Sequence, residues 1–325
     1  MIKNWRIWFG VTLSALALFL TLRTVDFGQV QAAMARAAWI WFIPAAATFI
    51  AGLYFRARRW SLLMDDTPLG ITWHAMLIGY MLNMSLPLRL GEVARAWVIG
   101  QRTAVSFTRA LSSIVVDRML DLAAVLLMFA AFALVLPMPP ELASAAWAGS
   151  IALVIVVIAF GLAIWQSQRV EALMRSVMKR FPRLHADRWV GRFHELCDSF
   201  RAIGDGRRLA GVLANTGLLW AFATLLAFFA QAAFMPPRLD QAGLVLIASN
   251  LGGAAPSAPG GLGLLQGAAK LALVGPFGID ENLAVAFIFV WSLSQQLSLI
   301  VLGVIGLGRV GLSLKETVGA GQKPA

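Results

Sequence analysis

Long apolar stretches separated by short basic segments dominate the chain. Six of them approach the roughly 20 mostly apolar residues that a transmembrane helix needs: 7–22, 38–55, 110–136, 143–165, 209–234 and 283–307. Trp residues sit near several ends, as interfacial anchoring predicts: Trp5, Trp8, Trp39, Trp41, Trp60 and Trp165. Two further apolar segments, 71–105 and 240–275, are broken in the middle by Pro and Gly. Segment 166–208 is the one long hydrophilic stretch. Its apolar residues (Leu173, Val177, Phe181; Val190, Phe193, Leu196) recur at helical spacing and predict two short amphipathic helices on a membrane face.

Basic residues orient these spans. Lys3 and Arg6 precede the first, and Arg56, Arg58 and Arg59 follow the second. Segment 166–208 carries ten more, and Arg309, Lys315 and Lys323 close the chain. Those segments are expected on the cytoplasmic side, with both termini, because positive charge is retained there. Parity then requires 71–105 to start and end inside and 240–275 to start and end outside. Each is too short for two full spans, so each is expected to be a re-entrant helical hairpin, the two entering from opposite faces. The expected architecture is an all-α polytopic membrane protein forming one membrane domain over 1–325. A first half, 1–136, carries the hairpin 71–105; an upside-down second half, 143–310, carries the hairpin 240–275; 311–325 is a flexible tail. Inverted repeats with broken helices near the midplane are a transporter architecture. Both breaks read P-x-x-L-G: Pro87–Gly91 and Pro259–Gly263.

Composition agrees and removes alternatives. The 325 residues are 59% hydrophobic and 13% charged, which excludes a water-soluble enzyme and a disordered chain. The net charge of +11 is read as loop orientation and attraction to anionic headgroups, not nucleic-acid binding. A single Cys197 leaves no disulfide, and His74, His185 and His194 have no metal-ligand spacing, so no metal or other cofactor is expected.

The charges inside apolar stretches are the candidates for chemistry. Arg89, Glu92 and Arg95 are spaced by three near the start of the hairpin's second helix and share a face. Held unpaired at the bilayer centre, three charges cost roughly 8–10 kcal/mol on the insertion scale, so they must pair or face water or a ligand. The readings are an anion site, with two Arg and helix N-terminal N–H groups facing a phosphate, or a structural Arg–Glu–Arg brace. In the next span Arg109, Ser113, Asp117 and Asp121 recur every fourth residue and line one stripe, while Arg118 points about 100° away. The two Asp are counter-ions for Arg89 or Arg95, or a pair able to hold Mg²⁺ against a diphosphate. Five Gly and two Pro between 250 and 263 suit a sharp break whose bare backbone meets a ligand or another helix. Beyond it, Lys270 reaches an outer headgroup or snorkels, and Ser292, Gln295 and Ser298 form a mildly polar face.

Three of these motifs, taken in order, carry a resemblance: Asn83…Leu86-Pro87-x-Arg89-x-Gly91-Glu92…Arg95, then Asp117-Arg118-x-x-Asp121, then Pro256-x-x-Pro259-Gly260-Gly261-x-Gly263. Over about residues 5–310 the chain resembles the lysylphosphatidylglycerol synthase transmembrane-region family, also called the flippase-like domain. The resemblance implies movement of a lipid between leaflets. It does not imply aminoacyl transfer, which a separate soluble domain performs in the multiple peptide resistance factor. Where many members carry Glu shortly after the P-G-G-x-G run, this chain has Gln266. The expected function is a lipid transporter of a bacterial inner membrane, binding an anionic phospholipid or isoprenoid lipid between the hairpin tips. Arg109, Arg118, Pro259, Gly260, Gly261, Gly263 and Gln266 join Asn83, Arg89, Glu92, Arg95, Asp117 and Asp121 as its expected substrate contacts. The alternatives are an intramembrane enzyme using Asp117 and Asp121 to hold Mg²⁺, and a non-catalytic partner of lipid-synthesis enzymes.

Overall fold

The computed structural model describes residues 5–85, 90–136, 139–178, 186–201, 205–254, 263–313 and 317. Among them lie thirteen α-helices and no strand. They are α1 (Trp5–Leu22), α2 (Phe27–Arg36), α3 (Phe42–Leu63, entered by a 3₁₀ turn at Trp39–Trp41), α4 (Leu69–Ser85), α5 (Gly91–Arg102), α6 (Phe107–Ala133) and α7 (Pro140–Trp165). Then follow α8 (Ser167–Met178), α9 (Ala186–Arg201), α10 (Gly206–Ala232), α11 (Leu239–Ala254), α12 (Leu264–Phe277) and α13 (Glu281–Val310). The chain is an all-α polytopic membrane protein. Four helical stretches are long and apolar enough to cross a bilayer: Trp39–Leu63, Pro140–Ala159, Gly206–Ala232 and Glu281–Val310. α6 is equally long at 27 residues, but carries Asp117, Arg118 and Asp121 within its length.

Short side chains start and stop these helices. Asp26, Ser106, Asp205 and Asp280 each accept a backbone N–H in the first turn of α2, α6, α10 and α13. Gly278 and Gly311 end α12 and α13 in the left-handed conformation.

Two polar faces bound the bundle. At one, Asp65 after α3 pairs with Arg109 of α6 and Arg208 of α10, and Arg102 at the end of α5 donates to the carbonyl of Gly311. At the other, Glu281 of α13 meets Lys270 of α12 and Thr24, while Arg238 before α11 lies 5.7 Å over the Phe277 ring ending α12. The outer ends of α4 and α5 therefore lie at the Asp65 face, and those of α11 and α12 at the Glu281 face. At 1.5 Å per residue these four helices are about 18–26 Å long, shorter than the roughly 30 Å of a bilayer's hydrocarbon.

Helix pairings fall into two matching sets around the central α3–α10 pair. α3–α4 corresponds to α10–α11, α4–α5 to α11–α12, and α5–α6 to α12–α13. Likewise α4–α13 corresponds to α6–α11, and α2–α13 to α6–α9. With no hydrophobic force between helices in lipid, such contacts depend on close backbone approach. A Cβ at Gly79 of α4 would lie 2.8 Å from the Gly91 carbonyl oxygen and 3.0 Å from Arg95 Cβ of α5. α7 is the opposite case, with Trp147, Ile151, Val154 and Ile158 turned outward, as a lipid-facing helix requires.

Two expectations from the sequence are corrected. α3 does not end at residue 55 but runs on to Leu63, so Arg56 and Arg59 belong to a helix inside the bundle and not to a basic loop. Trp60 is wholly buried, not interfacial, because an arginine from α5 stacks on its ring.

Gly79→Leu is expected to destabilise the protein by about 1–3 kcal/mol, seen as a lowered melting temperature in detergent, because α4 and α5 cannot separate without losing their contact. Gly161→Leu, with open space around it, should leave the melt unchanged within error.

Candidate functional site

α6 presents Asp117, Arg118 and Asp121 to Arg56 and Arg59 of α3 and to Arg95 of α5. Arg59 is 0% exposed and has every nitrogen engaged. Its Nε and Nη2 donate to Asp117 Oδ1 at 2.9 and 2.5 Å, Nη2 also donates to Asp121 Oδ1 at 2.8 Å, and Nη1 reaches Thr216 of α10 at 3.4 Å. Arg56 Nη1 donates to Asp121 Oδ2 at 2.5 Å. Arg118 bends back along its own helix, with Nη2 3.0 Å from Asp117 Oδ2 and 3.3 Å from Asp121 Oδ2, and also donates to Tyr80 Oη of α4.

Arg95 is held differently. Its Nη2 is 2.5 Å from Glu92 Oε2 and 3.5 Å from Asp117 Oδ2, and its guanidinium lies 4.7 Å over the Trp60 ring and 6.0 Å from that of Tyr80. Trp60 Nε1 is fixed in turn by donation to Ser113 Oγ at 2.9 Å. Arg95 is 1% exposed, yet among the described residues its Nε and Nη1 find no acceptor and neither does Arg118 Nε, while Glu92 Oε2, though beside Arg95, accepts no well-directed hydrogen bond. A buried donor left unpaired costs about 1–3 kcal/mol, and more when charged. Among the described residues the cluster thus sets four guanidinium groups against three carboxylates, one positive charge in excess.

The cluster lies below the membrane-bounding face. Arg95 is seven residues from the end of α5 and Asp117 ten residues into α6, which puts both about 10–15 Å from the Asp65 face. Above it, at that face, a cavity of about 580 Å³ is lined by Asp65, Asp66, Thr67, Ser106, Arg109 and Glu195. Asp65 and Asp66 there both have positive φ, 54° and 61°, in the turn that directs Asp65 to Arg109 and Arg208.

Several expected site residues do other work. Asn83 accepts from the N–H of Gly91 at 2.9 Å, with its own amide 3.5 Å from Glu92 Oε1, and so ties the end of α4 to the start of α5. Arg109 is not part of the α6 stripe: pairing with Asp65 draws it to the face. Gln266 is buried and braces α12, accepting from the Gly263 N–H at 2.8 Å and donating to Ser292 of α13 at 3.2 Å. Gly263 has φ 86°, which only glycine adopts freely. Lys270 is bound to Glu281 and the Thr21 carbonyl instead of extending to a headgroup. Arg89, Pro259, Gly260 and Gly261 lie outside the described residues.

Sequence reasoning missed Arg56, Arg59, Tyr80 and Thr216. A signal for the first two was present: Arg56 and Arg59 are spaced by three and followed by Trp60, Leu62 and Leu63, a continuing helix with one basic face. Two Asp inside the next span required counter-charges from somewhere.

The family model for the lysylphosphatidylglycerol synthase TM region matches residues 7–303. The chain belongs to that family. A relative described as a UPF0104 membrane protein, from Methanothermobacter thermautotrophicus, is 23% identical over 325 aligned positions, covering 94% of this chain and 96% of its own length. No solved structure matches the chain. The family match runs from α1 into α13 and includes every residue of the charged cluster.

Asp117→Asn in this family member should cost about 3–5 kcal/mol, because it leaves buried guanidinium groups uncompensated. The expected readout is a large fall in thermal stability in detergent, with Arg58→Gln at the surface near neutral.

Proposed function

We propose that the protein carries a lipid across the cell's inner membrane, holding its anionic headgroup at the arginine–carboxylate cluster while the apolar chains stay in the bilayer. The observation that supports this most is Arg95: a buried guanidinium, pressed on Trp60, with two nitrogens that find no acceptor among the described residues. A phosphate supplies oxygens of the charge and geometry that such donors take. Family membership fits a lipid-related role in the membrane.

The outer ends of the two broken-helix pairs lie at opposite faces, and the four helices are each too short to cross. Both features support the reading of 71–105 and 240–275 as opposed re-entrant hairpins. The matched helix pairings support halves at 1–136 and 143–310 related by inversion, an arrangement transporters use for alternating access. With segment 166–208 at the Asp65 face through Ser106 and Glu195, that face is the cytoplasmic one in this reading, and both termini are cytoplasmic. Membrane lipids are the partners it requires.

The Mg²⁺-dependent alternative is less well supported. Every carboxylate oxygen of Asp117 and Asp121 already accepts from or pairs with a guanidinium, so a cation would have to displace arginines.

Reconstituted into proteoliposomes with a fluorescent anionic phospholipid, the wild type is expected to speed exchange between leaflets, and Arg95→Gln to slow it at least about tenfold. Equal rates for the two proteins would overturn the assignment of the cluster as the headgroup site. Rates insensitive to the cluster, with lipid synthesis in cells lost on deletion of 166–208, would point to a scaffolding partner instead.

A further inference from the structure

A second cavity, of about 460 Å³, opens at the Glu281 face between α2 and the start of α13. Gln29, Ala32, Ala33 and Arg36 line one side of it, a stripe at helical spacing along α2. Two of the four are alanines, and α2 has no buried residue, so its inward stripe leaves space against α13. Asp280 and Asn282 line the other side, with the Phe234 ring beside them. Gln29 and Asn282 hold the two elements together: Asn282 donates to Gln29 Oε1 at 3.0 Å and accepts from the Asp26 N–H at 2.8 Å. Arg36 and Asp280 are the two charged residues of the lining. They carry opposite charges into one cavity and form no ion pair with each other or with any other described residue. Asp280 Oδ1 caps α13 by accepting from the Leu283 N–H at 2.9 Å, and its second oxygen is open.

The surroundings set the level of this cavity in the bilayer. Phe27 and Met34, seven residues apart on α2, are exposed, as are Trp39 and Trp41 just beyond it. A short helix with an outward apolar stripe, followed by tryptophans, is the makeup of an element lying in the headgroup layer. α13 begins its 30-residue span at the same place. The cavity therefore opens among headgroups, and its volume is within the range of small-ligand sites.

We infer that the cavity between α2 and α13 holds the headgroup of a zwitterionic phospholipid, its phosphate on Arg36 and its ammonium on Asp280. Such a headgroup carries both charges in one molecule, linked by a short chain, and joins two side chains that do not reach each other. The guanidinium offers the phosphate charge-assisted hydrogen bonds, and the open carboxylate oxygen offers the ammonium an acceptor. An anionic phosphodiester with neutral substituents leaves Asp280 unmet, and a simple cation leaves Arg36 unmet. A soluble zwitterion satisfies both charges but makes no use of Phe27, Met34, Trp39 and Trp41, beside which acyl chains lie. The site stands apart from the arginine–carboxylate cluster and does not rest on the role given to it.

The test is native mass spectrometry of the full chain in mixed micelles containing equal amounts of phosphatidylethanolamine and phosphatidylglycerol. The wild type is expected to retain phosphatidylethanolamine about fivefold more than Arg36→Gln or Asp280→Asn, the scale of one partly exposed charge contact. Both side chains are exposed, and Asn caps a helix as well as Asp does, so neither substitution should disturb the fold. Arg36→Lys, which keeps the charge, should restore retention, and Arg58→Gln at the opposite face should leave it unchanged. Asp280→Asn should not lower retention of phosphatidylglycerol, which has no ammonium to lose. Equal retention of phosphatidylethanolamine by the wild type and both variants would show annular lipid only and overturn the inference. Displacement of the lipid by free phosphoethanolamine at equal concentration would overturn a lipid as the occupant.

Discussion

The buried pair of Arg59 and Asp117 is the contact on which the rest of the bundle depends. Desolvating two charges costs several kcal/mol each, and a lone pair at this depth would barely break even. Here the cost is spread. Asp117 serves arginines from three helices, and Arg59 reaches two carboxylates of α6 and a threonine of α10. Four elements are thereby fixed around one point: α3, α5, α6 and α10. The remaining charges, Arg56, Asp121, Arg118 and Glu92, arrange themselves about that centre, and among the described residues Arg95 is left with donors to spare.

The two matching sets of helix pairings share packing without sharing chemistry. Asp117, Arg118 and Asp121 stand ten, eleven and fourteen residues beyond the first residue of α6; at the same places in α13 stand Trp291, Ser292 and Gln295. The hydrogen bond from Gln266 to Ser292 is the neutral counterpart of the contacts between α5 and α6.

Much of the candidate site was legible residue by residue, and its assembly was not. Glu92, Arg95, Asp117 and Asp121 stand out because charge in an apolar stretch is expensive, and an expensive residue must have a partner. Arg56 and Arg59 escaped notice because a basic run after an apolar one has the form of an orienting loop, and only the continuation of α3 to Leu63 turns it inward. Arg118 was expected to point away from the Asp117 stripe. A long arginine side chain covers the distance an ideal helix opens, and it folds back onto both carboxylates. Arg109 was expected within the stripe, and the Asp65 turn takes it out.

The sequence by itself determined the class of molecule: an all-helical membrane chain, broken at two places, with a few charges that had to be paired. Hydropathy, glycine and proline act through a few neighbouring residues, so the chain order alone reveals them. Which charges pair was decided only by tertiary structure, because α3, α5 and α6 contribute ions separated by tens of residues, joined by a threonine of α10, and meet through the close approach of helix backbones. That same packing decided the detail on which the proposed site rests. It saturates Arg59 and leaves Arg95 open, a difference between two identical side chains that no local pattern contains.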